Sequence, residues 1–276
     1  MLPYKSVPAA EAVLGRALTA GETIWLNYSA DKSDYFLYCH TTVFLFLTFS
    51  ISPFFYILFE QFQTYKIQPK VKKLSISDSL RCYLNVMPMF ILVVGSLQLI
   101  SYPAIQMIGI RTKLPLPSIG EVVGQLVVYF AIEDYTSYWV HRFLHCNKWV
   151  YEKIHRIHHE YNAPFVFVAL YAHWAEILIL GFPSLLGPAI APGHIITFWL
   201  WIALRQLEAI ETHSGYEFPW SPAKYIPFYG GAEHHDYHHY VGGESYSNFS
   251  SVFTYCDYIY GTDKGYRYHK KIRKQR

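Results

Sequence analysis

Three histidine strings concentrate the chemistry of this chain: "HRFLH" (His141, His145), "HRIHH" (His155, His158, His159) and "HDYHH" (His235, His238, His239). Residues three and four apart share one face of a helix. His141 therefore meets His145, and in each HxxHH string the first histidine faces both later ones. Convergent imidazoles are the geometry of metal ligation. With 14 histidines in 276 residues, chance gives an HxxxH string about once per chain but an HxxHH string only roughly a few hundredths of a time. Solvated surface histidines would not repeat a helical spacing in this way.

Eight imidazoles exceed the three or four that a zinc ion takes, so two metal ions are implied. An all-imidazole set suits Fe, Cu, Ni or Zn. Hydrolytic zinc would want a carboxylate base, as in HExxH, and that string is absent. The chemistry favours a redox pair, with iron first and zinc still open. His213 and His173 stand at the two mouths of an apolar stretch and join the candidate ligands. His234 shares a helical face with His238 but lies about 140° round the helix from His239, which makes it a neighbour of the ligands. Asp134, Tyr138, His141 and His145 fall on one helical stripe, so Asp134 either supports a ligand by a hydrogen bond or meets water. Arg205 and Glu208, three residues apart, are placed to pair. His40, His194 and His269 fall elsewhere.

The elements that must position these groups are membrane helices. The chain is 52% hydrophobic and 16% charged, and its apolar residues come in runs that reach the roughly 20 residues needed to cross a bilayer. The fold class expected is an all-α integral membrane protein, with four to five crossing or re-entrant helices and a histidine-rich dimetal region. Spans are expected at about 36–62, 83–110 and 119–140, followed by a hairpin at 174–212 that turns at "GPAIAPG". The first run is too long, and too far from Met1, for a cleavable signal. Lys66, Lys70, Lys72, Lys73 and Arg81 sit between the first two runs, and a basic tail occupies 264–276. By the positive-inside rule both are cytosolic, as are the histidine-rich regions 141–173 and 213–263, and residues 1–35 are lumenal. A membrane-facing or retrieval role for the tail is favoured over nucleic-acid binding. The four cysteines are scattered and read as reduced thiols. "NYS" at Asn27 and "NFS" at Asn248 offer glycosylation reporters of topology.

The histidine strings and their flanks, "EDYTSYWVHRFLH", "KIHRIHHEYNAP", "YAHWAE", "ETHSGYEFPW" and "GGAEHHDYHHY", resemble the membrane fatty acid hydroxylase/sterol desaturase superfamily. Within it they are most similar to the C-4 methylsterol monooxygenases of the plant type acting on 4,4-dimethylsterols. The resemblance covers about residues 35–262. It implies a multi-pass endoplasmic reticulum enzyme whose active site faces the cytosol. It implies two Fe ions held by His141, His145, His155, His158, His159, His235, His238 and His239, with His213 and His173 as further matches. It also implies O2 as oxidant and electrons from NAD(P)H through cytochrome b5 and its reductase. The reaction implied is stepwise oxidation of one C-4 methyl to the carboxylic acid, ahead of a separate sterol dehydrogenase/decarboxylase. No GxGxxG or P-loop string is present, consistent with electrons arriving from a partner. A C-5 sterol desaturase, a fatty acid hydroxylase and an aldehyde decarbonylase share the strings. A histidine-rich metal transporter is the reading from another class, and it would place ligands near mid-membrane.

Overall fold

The computed structural model describes residues 4–59, 63–71, 75–241 and 246–275. Those residues form helices joined by turns and by three isolated bridges, with no strand among them. Asp34–Ile51 starts at Ser33, whose hydroxyl accepts the Phe36 N–H, and runs on through Pro53–Phe59. The stretches Asp34–Phe59 and Ile76–Ile100, of 26 and 25 residues, are long and apolar enough to cross a membrane, yet little of either is covered by protein. Phe44, Phe46, Leu47, Phe54 and Phe55 face outward, an apolar surface suited to lipid rather than water.

The second stretch starts earlier than the hydropathy of 83–110 implies. Ser75 caps it through the Asp78 N–H and so draws Asp78 and Arg81 into the helix. It also stops earlier: past the π-helical turn Phe90–Gly95 it ends at Ile100, and a new helix, Tyr102–Ile108, closes on Gly109 at φ 87°. The expected end of the first span at 60–62, and Lys72 and Lys73, lie outside the described residues.

Ile119–Cys146 is a single helix of 28 residues, capped by Ser118. At about 1.5 Å per residue it measures about 42 Å, longer than the roughly 30 Å of a bilayer's hydrocarbon core. Its last turns carry His141 and His145. The hairpin follows as Trp174–Gly181, Pro183–Ile190 and Ile195–Thr212, with its descending half broken at Phe182. Pro183–Ile190 packs along the long helix. The contact is close at Gly187, where an added Cβ would lie 2.6 Å from the Tyr129 Cα.

The connections alternate between two ends of the helix bundle. At one end the Arg111 N–H donates to the Gly193 carbonyl and the Ile195 N–H to the Arg111 carbonyl, at 2.9 and 2.7 Å. At the other, Ile67 donates to Gly215 and Glu217 to Tyr65, at 2.9 and 3.0 Å. The loop after the first span and the histidine-rich segments thus share one end, and the link after the second span meets the hairpin turn at the opposite one.

The basic tail forms a helix, Lys264–Gln275, whose Lys270 donates to Glu233 of helix Gly231–Tyr240 at 2.6 Å. One further expectation is revised. Asn248 is fully buried, with its side-chain amide donating to the His234 carbonyl, so it reports nothing about topology. All four cysteines are free.

Because Tyr129 backbone leaves no room at Gly187, Gly187→Ala is expected to push the hairpin off the long helix and cost about 1–3 kcal/mol. Thermal unfolding in detergent should show a lowered midpoint.

Candidate metal centre

The histidines gather into two adjacent groups. His141, His145, His155, His159 and His238 form one, and His158, His213, His235 and His239 the other; within each group all ligand atoms lie within 4.8 Å of one another, and every member is buried. The rings of His159 and His239, one from each group, are 4.7 Å apart, so the two groups share a wall.

Each HxxHH string is divided between the groups rather than turned to one face. In helix Gly231–Tyr240, at about 100° per residue, His238 and His239 diverge and His235 lies between them, about 20° nearer to His239. His235 and His239 accordingly serve one group and His238 the other. The earlier string is not α-helical: His155–Glu160 is a 3-10 helix, in which residues three apart eclipse, and the His155 and His158 rings stack at 5.5 Å. Here too the ends of the string go together, His155 and His159 to the first group and His158 to the second.

What aims the rings is the other nitrogen. The Nδ1 of His141 donates to the Phe249 carbonyl at 2.9 Å, that of His158 to Tyr171 at 3.3 Å and that of His213 to Ala209 at 2.7 Å. Likewise His238 donates to Ser247 at 2.7 Å and His239 to Tyr161 at 3.1 Å. A backbone carbonyl only accepts, so each bond fixes the proton on Nδ1 and leaves a lone pair on Nε2. Within the groups, Nε2 atoms of these and of the other histidines face one another. His145 and His155 approach to 2.8 Å, His155 and His159 to 3.1 Å, His159 and His238 to 3.2 Å, His158 and His213 to 3.2 Å, and His213 and His235 to 2.9 Å. Converging lone pairs repel unless a cation sits among them, so the donor set fits two metal ions.

Electrostatics point the same way. Burial, reinforced by the neighbouring imidazoles, holds His155, His158, His159, His235, His238 and His239 well below the usual histidine range. Burial likewise brings His213 down to about 4. These rings are neutral at physiological pH, the form that binds metal.

His173 is brought into neither group. Its Nδ1 accepts the Ala175 N–H and caps the start of Trp174–Gly181, which puts the ring proton on Nε2 and removes that lone pair. His194 caps Ile195–Thr212 in the same way at the far end. His213 ends that helix, where free groups are carbonyls rather than N–H groups; it donates instead, and its Nε2 stays available. Helix polarity thus separates two histidines that the sequence treats alike.

Asp134 acts at one remove. Its Oδ1 accepts the Val252 and Phe253 N–H groups at 2.8 and 2.9 Å, anchoring the loop whose Phe249 carbonyl holds His141. Asp257 accepts the Phe249 and Ser250 N–H groups on the same loop, and His234 packs its Nε2 3.5 Å from Asp257, outside both groups. Of the buried carboxylates near the groups, Glu176 escaped the sequence reading, whereas Glu133, like Asp134, stands out in the sequence as an ionisable residue about two turns before His141. Glu176 is buried with its Oε1 2.9 Å from His155 Nδ1, close beside that ring but not in hydrogen-bond geometry with it. Glu133 lies 2.9 Å from Arg205, which also pairs with Glu208. The signal for both was present, as ionisable residues within apolar segments.

A cavity of about 520 Å³ opens beside the groups, within the range of small-molecule sites. His141, His155, His158, His213 and His235 form one part of its wall, and most of the remainder is apolar. Leu97 and Phe182 line it and are also 39% and 56% exposed on the outer surface, so it meets the outside between the second span and the hairpin.

The contrast between two histidines provides a test. His173→Asn, which keeps a good cap, should leave metal content unchanged, whereas His213→Asn should lower it by about one ion per chain; metal analysis of the purified proteins checks both.

Residues 126–262 match the fatty acid hydroxylase family. The chain is 67% identical to methylsterol monooxygenase 1-1 of Arabidopsis thaliana over 100% of this chain and 94% of that one. It is 62% identical to a very-long-chain aldehyde decarbonylase of Oryza sativa subsp. japonica, over 98% of this chain and 91% of the relative, and 43% identical to methylsterol monooxygenase 2-2 of Arabidopsis thaliana, over 91% and 95%. No solved structure matches. Together with the paired histidine groups, these likenesses show that the chain belongs to the fatty acid hydroxylase family of oxygenases.

Proposed function

We propose that this protein is a membrane methylsterol monooxygenase that oxidises a C-4 methyl group of a 4,4-dimethylsterol, stepwise, to the carboxylic acid. The observation that carries the reading is an apolar cavity that reaches both histidine groups and opens on an apolar flank. The relatives named for methylsterol oxidation supply the substrate class. The nine grouped histidines would hold two iron ions, since five imidazoles exceed the four ligands that zinc takes in its usual sites and imidazole suits iron. Bound there, iron would supply the reduction of O2 and the oxidation of an unactivated C–H bond, chemistry that acid/base side chains cannot perform.

The protein's own residues do the positioning. Backbone carbonyls hold five of the imidazoles in one tautomer, and the apolar wall excludes water and seats a hydrocarbon skeleton. The electrons come from NAD(P)H through cytochrome b5 and its reductase, and a sterol dehydrogenase/decarboxylase consumes the acid. The enzyme resides in the endoplasmic reticulum membrane with Asp34–Phe59, Ile76–Ile100, the long helix and the hairpin as spans, and with the histidine groups on the cytosolic side. A transporter would hold its polar ligands near mid-span, whereas these histidines cluster at the last turns of the long helix and past the end of the hairpin.

Aldehyde decarbonylation is the second reading, favoured by the 62% identity to the rice relative. Purified protein, supplied with reductase and cytochrome b5, is expected to convert 4,4-dimethylsterol to the 4-carboxy product and to leave a very-long-chain aldehyde untouched; alkane formation with no sterol oxidation would reverse the assignment. Orientation is read from Cys146, exposed beside the metal centre while Cys82 and Cys256 are buried. In sealed microsomes an impermeant maleimide should label the protein, and Cys146→Ser should abolish the labelling; protection until the vesicles are opened would invert the topology.

A further inference from the structure

The cavity wall contains a charged cluster that the metal centre does not use. Arg205 lies 2.9 Å from Glu133 and pairs with Glu208, its side chain also donates to Ser251 at 3.0 Å, and Ser137 donates to Glu133 at 2.9 Å. All five residues line the apolar cavity. Burying ionised groups against an apolar wall is costly, and pairing alone seldom repays it. The pairing is also incomplete: Arg205 Nε, Glu133 Oε2 and Glu208 Oε1 are buried without a hydrogen-bond partner in the protein. The cluster therefore has both a spare donor and spare acceptors.

We infer that this cluster recognises a hydroxyl group on the substrate and by doing so sets which carbon faces the metal ligands. The inference rests on the methylsterol reading of the same cavity. A hydroxyl both donates and accepts, which matches the spare groups, whereas an aldehyde only accepts and a carboxylate would meet two carboxylates against a single guanidinium. Placement fits as well. Glu133, Ser137 and His141 follow at four-residue steps on one face of the long helix, and Arg205, Ala209 and His213 do so in the hairpin. Each step rises about 6 Å, so the cluster lies two steps from a ligand on both helices. A sterol carries its hydroxyl on C-3, the ring carbon adjacent to C-4. A hydroxyl held at the cluster therefore keeps the C-4 methyl groups at the histidine end, and a straight-chain substrate has no equivalent handle. Glu133, Arg205 and Ser137 are positioning residues in this scheme.

The test compares 4,4-dimethylsterol with its 3-deoxy analogue, using the iron-loaded enzyme with its electron donors. Wild type should favour the hydroxylated sterol at least ~100-fold in kcat/KM. In Glu133→Gln and in Arg205→Lys that ratio should fall at least tenfold, mainly through a raised KM for the hydroxylated sterol. A wild-type enzyme indifferent to the hydroxyl, variants that keep the full ratio, or variants that lose both substrates in proportion would each overturn the inference. Should neither variant retain iron, Ser137→Ala decides by the same ratio. Wild type that oxidises no sterol but consumes a very-long-chain aldehyde would instead overturn the methylsterol reading itself, a result distinct from sterol oxidation without hydroxyl preference.

Discussion

The structure turns on a single electrostatic constraint: nine imidazoles, all buried, with lone pairs aimed at two points. Neutral rings so arranged repel at close range and protonated ones would repel more, so the arrangement persists only if the backbone holds each ring and a cation rewards the convergence. Five of the nine are held by carbonyls. Tyr161, Tyr171, Ala209, Ser247 and Phe249 each accept an Nδ1–H, and they lie on four separate segments of the chain. Much of the fold on that side of the bundle is the means of bringing those carbonyls behind those rings.

That requirement accounts for polar residues that otherwise look misplaced. The loop at 246–253 has no regular structure of its own, yet it supplies two of the five carbonyls. Asp134 from the long helix and Asp257 from the following helix grip its N–H groups, and the Asn248 amide ties it to His234. Buried carboxylates that satisfy backbone donors suit a loop that must not move, because a small displacement of Phe249 would turn His141. The tail helix extends the same logic by bracing Glu233, in the helix that carries His235, His238 and His239.

How much of this was legible in the sequence depends on the range of the interaction. The gathering of the eight string histidines was legible because their local spacing brings imidazoles together, and that of His213 because the helix end puts it nearby. Their partition was not legible, since assigning His158 and His238 to opposite groups from their own string-mates depends on how two helices face each other. His173 was placed with the candidate ligands because position at a span mouth carries no sign, whereas the helix end it occupies does: at an N-terminus the imidazole is drawn into capping, and the structure brings it into neither group. Glu176 was missed because it is distant in sequence from its partner His155, although a lone carboxylate in "WAEILIL" was itself a signal. The contact of the tail with Glu233 was not legible, because a basic charge pattern says nothing about which carboxylate lies across from it.

The cavity joins the two halves of the molecule. A site built of imidazoles and carboxylates wants polar surroundings, and a lipid-borne hydrocarbon wants none. The long helix reconciles them by changing character along its length: Val123 and Val127 face outward on its apolar half, while Glu133, Ser137, His141 and His145 are buried on its inner face. The hairpin repeats the gradient from Ile202 through Arg205 and Glu208 to His213. Two parallel gradients from apolar to charged to metal-binding give the cavity a direction. On the proposed reading, a substrate with one polar end would enter between Leu97 and Phe182, and that polar end would find its partners only in one orientation. Regiochemistry would then follow from the order of residues along two helices, without any group that recognises the reacting methyl itself.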